Sequence, residues 1–424
     1  MPDAATTLAQ LVTAISNLYA NGFMRAKTPE DWNQILELFA GNELVRQKHS
    51  LHIAWFLRDG LTSSEGAIPR VLYPQLLNFV MDVWREHPFH HPREKRMDWS
   101  TASLNSTGGV VAEIVVAQLS KLRQSSDKWE GLPGPYREAL ENLLYSREDA
   151  APYARVTLSR GIHVLYDCDA EWTLKHIIPL LDWKRNAEHA LQAWHGFLHT
   201  SRLPEECLTA LLPQYVEAAA RLKSKPDDLV KVQDQLVGHV ASILLFTDVD
   251  LYAKNWMGRI LSESPAELRF ALARRVQLLL RQIEDEKQRE ERWEIRLKPY
   301  WNKRLDGSLP RLEDDEKAAM AEWILPLASC LPSVAELVEA SEPTALLDQV
   351  FWWRLAKEED RIRQYPNETA TLCTHLARGL PDTYRVYGLE RVIAILDDAN
   401  ANADVMQALH EEALRLGIGK GTTQ

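Results

Sequence analysis

Between residues 185 and 198 the chain places Ala187, Ala190, Leu191, Trp194, Phe197 and Leu198 on one side of a helix. Arg185, Glu188, Gln192 and His195 fall on the other. The following segment repeats the spacing with Cys207, Leu208, Leu211, Leu212, Tyr215, Val216, Ala219 and Leu222. Such gaps are the signature of an amphipathic helix, whose apolar stripe follows the 3.6-residue turn. Pro204 followed by Glu205 and Glu206 makes a good first turn. Proline loses no needed hydrogen bond there, and the carboxylates meet the positive end of the helix dipole.

The same pattern predicts helices over 3–20, 30–40, 44–58, 69–86, 106–123, 135–147, 152–167 and 170–180. It continues over 227–246, 250–262, 265–298, 314–330, 343–360, 366–378, 385–398 and 403–416. Connectors are short and rich in Pro, Gly, Ser and Asp. The nearest approach to a strand is 384–396, with Val386, Val392 and Ile393, and its spacing suits a helix equally well. The expected fold is all-α: an array of antiparallel helix hairpins. A loose recurrence over about 40 to 47 residues points to a HEAT-like α-solenoid, with an irregular helical superhelix as the alternative.

Residues 263–298 read as one continuous helix of roughly 54 Å at about 1.5 Å per residue. Its first half carries the stripe Leu268, Leu272, Val276, Leu279 and Ile283; its second half alternates in charge. Asp285 with Arg289 and Glu294 with Lys298 have the favourable i,i+4 spacing. This half reads as a solvated face or a projecting arm, ended by Pro299. Breaks at 86–98 and 305–311 divide the chain into an N-terminal helical segment (1–86), a central helical-repeat region (98–304) and a C-terminal one (312–424).

Charge narrows the function classes. With 60 acidic and 49 basic residues the net charge is -11, which disfavours a general polyanion binder. Arg269, Arg274, Arg275 and Arg281 leave a local basic stripe, and with it a nucleic-acid-binding array as the alternative reading. Cys168, Cys207, Cys330 and Cys373 form no CxxC pair and lie among apolar neighbours, as reduced cytosolic thiols do. The N-terminus lacks a basic stretch leading into an apolar one. The apolar run 240–246 is far shorter than the roughly 20 residues a membrane helix requires. A soluble, cytoplasmic protein without membrane contact is expected.

Chemistry-bearing constellations are sparse. His87, His90 and His91 have no nearby Cys or spaced acidic pair to complete a metal site. His195 and His199 stand one turn apart without an HExxH sequence, and read as a polar helix face. The glycine-rich 417–423 tail misses the phosphate-loop pattern and precedes no helix. No catalytic residue, metal or cofactor is expected. Trp352 and Trp353 are adjacent, so their indoles point about 100° apart and cannot share one narrow core face. An exposed one would be a partner hot spot.

One segment stands out. Residues 98–113 run from a polar, glycine-containing stretch into an apolar helix in which Glu113 is flanked by valine, alanine and isoleucine. Burying an unpaired charge costs several kcal/mol, so Glu113 needs an exit to water or a specific partner. Ser103 or Ser106 can cap the helix, Gly108 and Gly109 admit a close neighbour, and Trp99 can cover the junction. Asn105 meets Glu113 only if the fold brings them together. This reads as a helix junction, with a hydrolase centred on Glu113 as the competing interpretation.

The pattern W-x-T-x(3)-N-x(3)-G-x(3)-E, carried by Trp99, Thr101, Asn105, Gly109 and Glu113, resembles one in a helical domain of bacterial antiphage proteins. There the domain commonly follows a sirtuin-type NAD-hydrolysing module. Leu181-Asp182-Trp183 and the stretch from Ala190 through Trp194 to Leu198 extend the resemblance over roughly 98–222, with a weaker likeness at 352–380. The resemblance implies a sensor or scaffold of a defence system, partnered by an effector subunit or a phage protein. It does not carry NAD hydrolysis, which needs a Rossmann-like domain with a Gly-rich strand-turn-helix that this sequence lacks.

Overall fold

The computed structural model describes residues 28–64, 66–86, 97–146, 149–200, 203–223, 227–346, 348, 350–382 and 386–418. The helix expected over 3–20, the histidines of 87–91 and residues 419–423 of the tail lie outside these. Among the described residues every regular element is helical, and no strand occurs. The 384–396 segment is a helix from Leu389 onward. No single described helix is long and apolar enough to cross a membrane.

Contacts divide the chain into two compact units: residues 1–214 with 226–232, and 215–225 with 233–424. The expected boundary at 305–311 therefore falls inside the second unit.

In the first unit, Thr28 and Asp31 form a reciprocal capping box that starts α1 (Pro29–Ala40). The carboxamide of Asn42 caps α2 (Glu43–Thr62). There follow α3 (Tyr73–Glu86), α4 (Trp99–Leu104), α5 (Thr107–Gln124) and α6 (Gly134–Tyr145). The helix expected over 152–167 is two, α7 (Ala151–Arg160) and α8 (Ile162–Cys168), divided at Gly161, where an added Cβ would lie 3.0 Å from Val116 Cγ1. After α9 (Ala170–His176) and a 3-10 turn (Ile178–Leu181) comes α10 (Ala187–Phe197), capped by Asn186. α5 packs against α2, α3 and α7, and α7 in turn against α10.

The expected polar face of α10 is a solvent face only at its start, where Glu188 is exposed. Gln192 and His195 are fully buried, because α7 covers one side of α10 while α4 and the Ile178–Leu181 turn close the others. Gln192 Oε1 accepts a 2.8 Å hydrogen bond from Nε of the buried Arg155. Gly196 makes the approach to α7 feasible, since a Cβ there would meet the Val156 carbonyl oxygen at 1.9 Å.

α11 (Glu205–Leu222) contributes its first half to this unit, with α12 (Asp227–Val230), and its second half to the other. The second unit continues with α13 (Gln233–Phe246), α14 (Trp256–Glu263) and α15 (Ala266–Gln282).

The single long helix expected over 263–298 is interrupted. Ile283 is extended (ψ 109), and Asp285 accepts a hydrogen bond from the Lys287 amide to cap a new helix, α16 (Glu286–Arg292), rather than pairing with Arg289. A π-helical turn (Trp293–Leu297) then leads into α17 (Lys298–Leu305). Pro299 sits in the first turn of α17 instead of ending the segment, because the π turn carries the backbone bonding past a residue without an N–H.

Nor is this stretch a projecting arm. Trp293 and Leu297 are fully buried, and the indole of Trp293 donates to Ser333 Oγ at 3.1 Å. Trp293, Trp301 and Trp323 meet edge to face, with ring centroids 6.2 and 5.5 Å apart. The alternating charges are partly engaged: Glu294 pairs with Lys298 at 3.2 Å and Glu286 with Arg361 at 2.6 Å.

The rest comprises α18 (Asp314–Ala321), α19 (Leu331–Glu339), α20 (Phe351–Leu355), α21 (Glu359–Gln364), α22 (Pro366–Arg378), α23 (Leu389–Asp398) and α24 (Ala403–Arg415). α13 packs on α15 and α15 on α18; α19 packs on α22 and α22 on α24. Cys168, Cys207 and Cys373 are buried and Cys330 is half-buried, all as free thiols whose pKa is raised by burial.

Candidate functional site

Residues 98–113 form two helices joined at a sharp corner. Asp98 begins α4: Oδ1 accepts from the Thr101 amide and Oδ2 from the Thr101 hydroxyl, both at 2.8 Å. Burial works to raise the Asp98 pKa, but these bonds outweigh it and hold the carboxyl below its usual value. Asn105 ends α4, donating from Nδ2 to the Thr101 carbonyl at 2.9 Å, so it does not reach Glu113. The cap of α5 falls to Ser106, whose Oγ accepts from the Gly109 amide at 3.1 Å. Ser103 instead donates to the Ser100 carbonyl at 2.8 Å.

The corner is tied to three other helices. Ser100 Oγ donates to the His195 carbonyl of α10 at 2.7 Å, and the Trp99 ring lies 5.7 Å from Tyr153 of α7. From α2, Trp55 donates to the Leu104 carbonyl at 3.2 Å, and Ser50 shares a 3.2 Å hydroxyl contact with Thr107. Both glycines are obligatory. A Cβ on Gly108 would lie 2.5 Å from the Ala150 carbonyl oxygen and 2.9 Å from the Trp84 ring; one on Gly109 would lie 1.9 Å from the Ser103 carbonyl oxygen.

Glu113 stands between two arginines. Its Oε2 is 3.7 Å from Arg58 Nη1 on α2 and 3.9 Å from Arg160 Nη2 at the end of α7. Oε2 is covered and takes no hydrogen bond, while the side chain as a whole is 32% exposed. The carboxylate is thus balanced by charge and retains an exit to water, which answers the desolvation cost its position raises. Partly exposed pairs of this kind contribute about 1 kcal/mol or less. Glu113→Gln should accordingly lower stability by no more than about 1 kcal/mol in urea titration. A loss three times larger would make the carboxylate a structural strut.

The tryptophans separate clearly. Trp183 is buried, and Trp194 is buried with its indole donating to the Leu181 carbonyl at 3.1 Å. In the second unit Trp352 is buried edge-to-face against Phe351 at 5.3 Å. Its neighbour Trp353 is 46% exposed, with Lys357 Nζ 3.6 Å from the ring centroid. Val350 is also exposed one turn earlier, as is Tyr387, which precedes the Gly388 that packs on the Trp353 backbone.

Two of the α15 arginines are engaged in ion pairs. Arg269 is paired with Glu313 and Glu316, and Arg274 reaches the buried Glu322 at 2.6 Å. Among the described residues no group of three or more His, Cys, Asp or Glu is placed to hold a metal. Sequence reasoning missed one feature, a cleft between α3 and α6 lined by Asn78, Trp84, Glu138 and Asn142. Glu138 and Asn142 have ordinary surface-helix spacing, and only the facing helix makes them part of a concavity.

No family model matches this chain, and comparison with curated proteins and with solved structures finds no match.

Proposed function

We propose that this chain is a helical scaffold or sensor subunit of a prokaryotic antiphage defence system, acting in the cytoplasm by binding protein partners. Trp353 carries the reading. A large aromatic left 46% exposed, beside exposed Val350 and Tyr387 and under the cation of Lys357, has the composition of an interface hot spot. Its burial by a partner would remove apolar surface from water at a fixed, rigid position. The likeness of Trp99, Thr101, Asn105, Gly109 and Glu113 to the antiphage helical domain supplies the biological setting. The neighbour order in which α13, α15 and α18 stack, and α19, α22 and α24 likewise, supports a HEAT-like array as the scaffold.

The test is co-purification of the tagged chain from phage-infected cells, scored with phage protection. The native chain should recover a specific effector subunit or phage protein. Trp353→Ala should weaken that capture at least ten-fold, as a hot-spot truncation of about 1.4 kcal/mol or more implies, while melting stays unchanged. Equal recovery by both proteins would refute the role of Trp353, and failure across several phages and neighbouring gene products would refute the defence assignment.

A further inference from the structure

The cleft between α3 and α6 encloses about 310 Å³, the lower end of the range of ligand-binding pockets. Asn78, Met81 and Arg85 line it from α3; Pro135, Glu138 and Asn142 line it from α6. Each set spans two helical turns, about 10 Å. An extended backbone covers that distance in about three residues.

Asn78, Glu138 and Asn142 are exposed at this cleft and keep hydrogen-bonding capacity open to it. Trp84 is only 6% exposed, yet its indole N–H donates to no acceptor among the described residues. The carboxamide of Asn78 is likewise unengaged. That of Asn142 donates to the Glu138 carbonyl at 2.9 Å, which leaves its Oδ1 as an acceptor. A wall that offers an indole donor, a carboxamide that both donates and accepts, and a facing acceptor matches the alternating C=O and N–H groups of a peptide backbone.

Charge selects the side chain. Arg85 is neutralised by Asp82 at 2.7 Å, whereas the Glu138 carboxylate has no cationic partner among the described residues. Of the two charged lining residues, Glu138 is therefore the unpaired one among the described residues. It complements a lysine or arginine side chain and opposes the phosphate of a nucleotide.

We propose that this cleft binds a short extended segment of a protein partner carrying a basic residue, with the backbone held by Trp84, Asn78 and Asn142 and the basic side chain at Glu138. The inference rests on the protein-binding role proposed above and names a second surface for it. Trp84 packs its ring on Gly108, so that indole alone would stand between the occupant and the 98–113 junction.

The test is fluorescence anisotropy on the full chain with a fluorescein-labelled hexapeptide of alternating alanine and lysine, and its counterpart with glutamate in place of lysine. The lysine peptide should bind saturably and at least ten-fold more tightly than the glutamate peptide. Glu138→Lys should reverse that order, and the double change Asn78→Ala with Asn142→Ala should weaken the lysine peptide at least ten-fold without altering the melting temperature. Absence of saturable binding overturns the proposal. So does an unchanged preference in Glu138→Lys, which places the cation elsewhere, or displacement of the peptide by AMP, which would make the cleft a nucleotide site. A chain that captures its partner through Trp353 but fails every peptide measurement keeps the binding function and loses this cleft. The opposite result keeps the cleft and loses the Trp353 interface.

Discussion

Gly109→Ala should lower the stability of the first unit by about 3 kcal/mol, the upper end of what overpacking costs. For a unit of this size that corresponds to a melting temperature lower by roughly 6–12 °C. The added methyl would sit 1.9 Å from the Ser103 carbonyl oxygen, 2.7 Å from its carbon and 3.0 Å from the Ser103 Cα. All three are backbone atoms, so no rotamer change relieves the clash. α4 would have to move away from the start of α5. That movement pulls on the Ser106 cap and on the Ser100 bond to α10 as well.

Gly134→Ala is the matched control. It opens α6 with nothing within 4 Å of an added Cβ, and alanine favours the helix more than glycine does. Its stability should be unchanged or slightly higher. Thermal melting followed by tryptophan fluorescence compares the two, and equal behaviour would remove the junction role assigned to Gly109.

Glu316→Gln should cost the second unit about 3–5 kcal/mol, because it leaves a buried guanidinium without its counter-charge. Arg304 is 2% exposed and uses all five of its donors. Nη1 donates to Glu316 Oε1 at 2.5 Å and to the Tyr300 hydroxyl at 2.9 Å. Nη2 donates to Glu316 Oε2 at 2.8 Å and to the Arg311 carbonyl at 3.3 Å. Nε donates to the Pro310 carbonyl at 2.6 Å. The loop over 305–311, whose composition resembles a domain boundary, is thereby clamped to α17 and α18.

Arg304→Met should destabilise to a similar degree. The double variant with Glu316→Gln should cost clearly less than the sum, since neither charge is then stranded. Urea titration of the four proteins decides this, and strict additivity would mean that the two side chains act separately.

Much of the helical pattern was legible before the structure. The helices around 30–40, 107–124, 205–222, 366–378 and 403–415 declare themselves by apolar spacing and by capping residues such as Ser106 and the Pro-Glu-Glu start at 204. Two kinds of error have physical causes. The 263–298 stretch reads as one helix, but the Asp285 side chain offers the backbone a competing cap and breaks it. Residues 343–346 lack the helix expected there, which begins only with the short α20. Conversely, Trp99–Leu104 and Leu331–Glu339 are helices that the pattern left as connectors, because one is brief and the other begins at a Cys-Leu-Pro corner.

The candidate site was legible only as a set of residue types. Local rules foresee that Ser103 or Ser106 caps and that the glycines mark a close approach. They do not foresee that the approach to Gly109 is made by the segment's own Ser103 carbonyl, or that Asn105 turns back to Thr101.

By itself the sequence determined the all-α class, the absence of a family-defining catalytic motif, and an acidic chain with an oddly placed Glu113. These follow from side-chain periodicity and charge, which each residue carries independent of its neighbours in space. Tertiary structure alone decided that Arg58 and Arg160 flank Glu113, that Gln192 and His195 are interior, and that Trp353 rather than Trp352 faces water. It also decided that Asn78 and Glu138 border one cleft. Each of these depends on which helix covers which face, a choice made by packing between segments tens of residues apart, and no local pattern encodes it.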